Sequence, residues 1–344
     1  MRKRNWGMFL STVLVLAVVG CSPSAPKQTE EPKVKAIIIR ASTPTAPEHP
    51  WTKGLELVAK LVNERTEGRY KINVYPNASL SEGSEKTMTE QIFTGTLDMG
   101  ISPAPLCSTV FSAFSFPFSY TDREHIARVC ASPVAQEMLA SLDEKGMHAV
   151  AYVENGFRQI TNSKHAIKTP ADMVGVKIRT PQSAATIAAM KAMGANPVAV
   201  SAGELYIALS QGTVDGQENA LSTIYNNKYY EVQKYLTVIN YNWSPAIVGM
   251  SREVWNKLSE GDKKIFQDAI LEAAADINKQ LAGLDGEMIG KLKEKGMQVY
   301  VCTESDVALF KAKCDTDALR EVYKGILGED LMTRFFDAVK LAKK

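Results

Sequence analysis

The period of the hydrophobic positions switches repeatedly along the chain. Residues 35–40 (KAIIIR) form a short apolar run of strand type. Trp51, Leu55, Val58 and Val62 then recur at helical spacing, and Gly68 stops the run. Tyr70, Ile72 and Val74 alternate with polar residues, which predicts a strand ended by Pro76. Residues 84–95 predict a helix closed by Gly95, and residues 97–101 a further strand. This β-α-β-α-β order is the signature of a parallel sheet with crossover helices.

Further on, residues 122–144 predict a helix ending at Gly146, and residues 147–153 a buried strand. Helices follow at 182–193 and 202–210 around a strand at 197–200, then a tyrosine-rich helix at 220–236. Strands are expected at 237–241 and 246–250. Because a second β-α series starts near residue 156, the pattern predicts two α/β lobes. From Glu260 to about Lys295 there is no proline and little glycine. That is a rod of roughly 50 Å, too long for one small domain and expected to run across both lobes. A strand at 297–301 and a helical tail complete the chain. Phe111, Phe114, Phe116 and Phe118 crowd beside Pro117 and read chiefly as core under a loop.

Composition narrows the classes. The 344 residues are 45% hydrophobic and 23% charged, ordinary for a globular fold large enough to need no staples. A net charge of +2 leaves no electrostatic footprint for nucleic acid. His49, His125, His148 and His165 make no metal-ligand spacing with one another or with cysteine, so no metal and no cofactor is expected. Cys107, Cys130, Cys302 and Cys314 fit two disulfides or four buried free thiols equally. Residues 1–21 have a basic start (Arg2, Lys3, Arg4) and an apolar run at 9–19 too short to span a bilayer. The run ends in Val18-Val19-Gly20-Cys21, like a bacterial lipoprotein cleavage box, with Cys21 as the acylated N-terminus; plain signal-peptide cleavage is the alternative. Residues 22–35 are rich in Ser, Pro, Lys and Glu and read as a flexible tether.

The chemistry concentrates between Glu154 and Trp243. Arg158 follows Gly156-Phe157, Arg179 ends the Val176-Ile178 alternation, and Asn219 closes Asp215-Gly216-Gln217-Glu218. An arginine fork matches a carboxylate with two parallel charged hydrogen bonds. Placed at strand ends, these residues suit a cleft that grips a small anion. Each arginine taken alone fits a surface ion pair equally well. Asp215 and Glu218 read better as turn or ion-pair residues than as general acids. No nucleophile elbow, P-loop, dinucleotide fingerprint or zinc-protease motif is present, so an enzyme is not expected.

Several motifs, in order, resemble the solute-binding subunits of tripartite ATP-independent periplasmic (TRAP) transporters, the DctP-like family. They are Asn155-Gly156-Phe157-Arg158, Thr161-Asn162-Ser163, residues 175–181 (GVKIRTP), 204–209 (ELYIAL), 214–219 (VDGQEN) and 230–236 (YEVQKYL). The resemblance implies an α/β, two-lobed periplasmic-binding-protein-like fold of type II, with a hinge and a long helix bridging both lobes. Lobe I would hold residues 36–154 and about 244–284, lobe II residues 155–243 and about 285–344. It also implies Arg179 as the ligand-carboxylate arginine, Arg158 as a second basic contact and Asn219 as a polar contact. Glu85 and the Ser102-Pro103 strand end fall where relatives vary their selectivity, and His49 and Trp51 lie in a loop facing the cleft. Tyr241 stands where many relatives have histidine, and Ala202 where many have an aromatic residue, which leaves more room or shifts stacking to Phe157, Tyr206 or Trp243. The function implied is a monomeric, lipid-anchored extracytoplasmic protein that captures a small organic acid and delivers it to membrane permease subunits. A ligand-presenting sensor, or an enzyme on the same scaffold, is the alternative. Dicarboxylates, sugar acids, 2-oxo acids and aromatic acids all carry the required carboxylate.

Overall fold

The computed structural model describes residues 35–343. The expected signal segment, the lipidation at Cys21 and all but the last residue of the tether lie outside them. The strands are β1 (Ile37–Ser42), β2 (Tyr70–Tyr75), β3 (Met99–Pro103), β4 (Met147–Val153), β5 (Phe157–Asn162), β6 (Lys177–Thr180), β7 (Asn196–Ala199), β8 (Gly216–Ala220), β9 (Tyr235–Trp243), β10 (Ala246–Ser251) and β11 (Gln298–Val301). They form two mixed sheets, ordered β2-β1-β3-β10-β4 and β11-β9-β5-β8-β6-β7. In the first sheet β1 runs parallel to β2 and β3, while β10 is antiparallel to β3 and β4. In the second, β6 is parallel to β7 and β8, while β5 is antiparallel to β8 and β9.

Two short segments connect the sheets, Glu154–Gly156 between β4 and β5 and Ser244–Pro245 between β9 and β10. Gly156 has φ +93°, a left-handed turn that a side chain would oppose. The third connection is the predicted rod, a helix over Glu260–Glu294 of 35 residues. Its Phe266, Ala269, Ile270, Ala273, Ile277 and Leu281 pack in the core of the first sheet with helix Pro50–Arg65. Its Met288 and Leu292 pack in the core under the second sheet with Leu205, Leu209 and Ile224. One continuous helix therefore rests on both sheets. A further core holds Phe111, Phe114 and Phe116 against Tyr323 and Phe335 of the C-terminal helices. The last of these helices, Glu329–Leu341, also packs on helices Arg123–Cys130 and Pro133–Ala140, with His125 bonded to the Val339 carbonyl (2.8 Å).

Several expected elements are redrawn. The single helix read over 122–144 is broken, because Pro133 has no N–H and opens a new helix capped by the Ser132 hydroxyl. The helix read over 220–236 stops at Asn226, and Lys228 then turns left-handed at φ +55°. Cys107, Cys130, Cys302 and Cys314 are free thiols. Among the described residues no helix is long and apolar enough to cross a membrane.

Candidate ligand-binding site

The three polar clusters do not all lie beyond strand ends, as the sequence pattern suggested. Arg158 lies inside β5 and Asn219 inside β8. Because β5 is antiparallel to β8, with Arg158 opposite Ala220, the start of β5 meets the end of β8. The parallel β6 brings Arg179 to the same edge. That edge faces the first sheet across a cavity of about 90 Å³.

Arg179, Arg158, Asn219, Glu85 and Trp51 all line this cavity, as does Ala202. Trp51 is fixed by its indole N–H, which donates to the Glu154 carbonyl at 2.8 Å. Glu85 opens the helix Glu85–Phe93, whose start is capped by the Ser84 hydroxyl. Five other expected residues do not line it. Side chains on a strand alternate, so Arg158 and Asn242 point to the cavity while Phe157 and Trp243 enter the core on the other face. Ser102 is fully buried in β3, and its neighbour Pro103 reaches the cavity instead. Tyr206 lies on the outward face of helix Leu205–Ser210, and its hydroxyl donates to Glu231 at 2.7 Å. Tyr241 sits behind the lining and donates to Glu218 at 2.6 Å. The sequence reading missed Asn155, Ser183, Thr223, Asn227, Tyr229 and Asn242, all of which line the cavity. The only sequence signal for them was their closeness to the motifs.

The two arginines differ in how they are compensated. Arg158 makes a buried, two-pronged ion pair with Glu218, whose second contact is 2.8 Å. It also donates to the Glu218 main-chain carbonyl at 2.9 Å. Burial opposes the Arg158 charge, but Glu218 outweighs it and holds the guanidinium above its ordinary value. With the Tyr241 bond added, the Glu218 carboxylate accepts three hydrogen bonds and offsets the Arg158 charge.

Arg179 is in the opposite state. It is 2% exposed, and its Nε donates to the Val200 carbonyl at 2.8 Å. Its Nη2 is buried with no hydrogen-bond partner among the described residues. The nearest carboxylate oxygen, on Glu85, is 3.9 Å away, beyond hydrogen-bond range. Burial holds the Arg179 pKa below its ordinary value, against the pull of Glu85. Burial likewise pushes the Glu85 carboxyl up, opposed by Arg179 and Arg158. A buried donor without a hydrogen bond is costly, and Arg179 meets Glu85 only as an ion pair at 3.9 Å, so its Nη2 is free to donate to an added acceptor. The Asn242 Oδ1 is a buried acceptor also lacking a partner.

A cleft between two α/β sheets joined by short connections and one shared helix is the architecture of a solute-binding protein. The comparisons with known proteins agree. Residues 41–325 match the family model for bacterial extracellular solute-binding proteins, family 7 (DctP). The chain is 34% identical over 278 residues to the 2,3-diketo-L-gulonate-binding periplasmic protein YiaO of Escherichia coli, covering 80% of each. The crystal structure of the sugar acid binding protein DctPAm from Advenella mimigardefordensis, in complex with galactonate, superposes with a TM-score of 0.85 at 29% identity. That match covers 90% of this chain and 99% of that one. A TRAP periplasmic solute-binding protein from Sulfurospirillum deleyianum with bound succinate superposes with a TM-score of 0.81 at 29% identity, over 87% and 97% of the two chains. The chain belongs to the DctP family of TRAP transporter solute-binding proteins and has its two-lobed periplasmic-binding-protein fold. Its relatives are binding proteins of transport systems, not enzymes.

Proposed function

We propose that this protein is an extracytoplasmic receptor that closes on a small hydroxylated monocarboxylate, with Arg179 holding the carboxylate, and delivers it to a TRAP-type permease. The observation that carries the reading is the buried, unpartnered Nη2 of Arg179 in a cavity lined from both sheets. Charge supports one carboxylate over two. Arg158 is spent on Glu218, so a second anionic group would meet Glu85 without a free cation to offset it. The unpartnered Asn242 Oδ1 suits a ligand hydroxyl. The galactonate bound by DctPAm is of this class; the succinate of the Sulfurospirillum protein is not.

The sheets would pivot at Glu154–Gly156 and Ser244–Pro245, with the long helix flexing between them. Cys21 would carry the lipid anchor of a monomer. A thermal-shift screen decides the ligand class, since a ligand at 100 times its Kd stabilises the fold by about 2.7 kcal/mol. D-galactonate and other hydroxy monocarboxylates are expected to raise the midpoint. Shifts from succinate alone would overturn the class assignment. The mass of the mature N-terminus reads out the anchor.

A further inference from the structure

Beside the cavity, next to its lining residues Glu85 and Ala202, the main chains of Gly83 and Gly203 come into contact from the two halves of the protein. Gly83 precedes the helix that carries Glu85, and Gly203 follows the segment that carries Val200 and Ala202. A Cβ added to Gly203 would lie 2.7 Å from the Gly83 carbonyl oxygen, 3.1 Å from its carbon and 3.3 Å from its Cα. These are backbone atoms, which cannot swing aside as a flexible side chain would.

The Gly83 side is held firmly. Ala78 and Glu82 are left-handed, at φ +47° and +53°, and Gly83 is at φ +78°. Ala78 donates to the Thr43 carbonyl and accepts from the N–H of Gly83 (2.9 and 3.1 Å). Non-glycine residues enter that region at a cost, so these turns and hydrogen bonds hold the loop with the Gly83 carbonyl against Gly203. On the other side, the Ser201 hydroxyl ties to Glu204 at 2.6 Å, and the Val200 carbonyl holds the Nε of Arg179.

We infer that Gly83 and Gly203 form a backbone clasp that admits the closed state, and that Gly203 is a positioning residue for ligand retention. The clasp joins the segments that carry Glu85 and the Val200 carbonyl that holds Arg179. It is two residues from Glu85, and on the other side three residues from the carbonyl that fixes Arg179. Its closeness therefore sets how near the Arg179 and Glu85 walls come. Gly203 does not itself have a positive φ, so alanine fits its backbone and costs nothing in the open state. The added methyl acts only when the halves meet. The inference uses the carboxylate reading for its second test but not for its first.

The first test needs no ligand. In the double variant Thr87→Cys/Glu204→Cys, whose positions line one hollow beside the clasp and leave both glycines intact, a short bifunctional thiol reagent is expected to give an intramolecular cross-link, located by peptide mass mapping. If none forms while the variant is folded, the clasp is refuted. The second test measures D-galactonate binding by stopped flow. Gly203→Ala should release the acid roughly tenfold faster, and Gly203→Val faster still, with association almost unchanged. Gly325→Ala is the control, because its methyl meets nothing within 4 Å. Unchanged release in Gly203→Val overturns the inference. Failure of the wild type to bind D-galactonate counts against the proposed ligand class, and the cross-linking test still decides the clasp.

Discussion

Arg158 and Arg179 are both buried in the same cavity, yet replacing each with methionine should have opposite consequences. In Arg158→Met, Glu218 keeps only Tyr241 and becomes a buried carboxylate without its cation. Breaking a buried pair in this way costs about 3–5 kcal/mol. In Arg179→Met, a buried guanidinium with an unpartnered Nη2 is removed, and the losses are one hydrogen bond to the Val200 carbonyl and the 3.9 Å ion pair with Glu85, whose raised pKa lets it take up a proton instead. Those terms oppose each other, so stability should stay within about 1 kcal/mol of wild type. Binding reverses the order. Two charge-assisted bonds to a carboxylate at about 1.5–3 kcal/mol each predict a loss of roughly 10²–10⁴ in affinity for Arg179→Met. Arg179→Lys keeps the charge without the fork and should recover only part of it. Guanidinium unfolding of the ligand-free variants and calorimetry with D-galactonate give the two numbers. If Arg179→Met destabilises the free protein as much as Arg158→Met does, the distinction between a structural and a ligand-seeking arginine is wrong.

Three more outcomes follow from the buried titratable groups. His49 is buried, its pKa lowered by burial to about 3, and its Nδ1 accepts from the Trp51 N–H at 3.1 Å. The unfolded chain takes up a proton near pH 6.5 that the fold refuses. Stability is therefore fully present above that value and is lost as pH falls towards 3, by up to about 1.4 kcal/mol per pH unit. His49→Asn keeps a helix cap without titrating and should flatten this limb in acid unfolding curves; an unchanged slope would count against it. Burial raises the Glu85 pKa, so this group makes the folded protein hold its proton more tightly and lowers stability as pH rises through the raised value. An arriving carboxylate raises it further, so binding should take up a proton and weaken with rising pH. Calorimetry in buffers of different ionisation enthalpy should show that uptake in the wild type and none in Glu85→Gln. Tyr241→Phe removes one hydrogen bond to a charged buried Glu218, and unfolding should show a cost of about 1.5–3 kcal/mol; no change would mean that water replaces it.

The apolar periodicity made most of the fold legible. Pro50–Arg65 and β2 follow it directly, and the uninterrupted stretch after Glu260 gave the rod that rests on both sheets. What it hid were strands whose buried residues are polar. β8 reads Gly-Gln-Glu-Asn-Ala and is buried at every position, because Glu218 is paired with Arg158 and Gln217 bonds Thr161. No hydrophobic pattern can mark such a strand. The same limit applies to the site. Sequence could bring Arg158 and Arg179 to one region, but Glu218 decides which one is left free, and that pairing exists only across β5 and β8. Phe157, Trp243 and Tyr206 carried the right chemistry for stacking, and strand alternation or the outward face of a short helix keeps them from the cavity.

The claim that Arg179 grips the ligand is tested most directly by a crystal structure of the protein with D-galactonate, or with whichever acid the thermal screen returns. The account predicts a carboxylate within about 3.2 Å of Arg179 Nη2, with Arg158 still paired to Glu218. A carboxylate seated on Arg158, with Glu218 displaced and Arg179 bonded only to Val200, would contradict it.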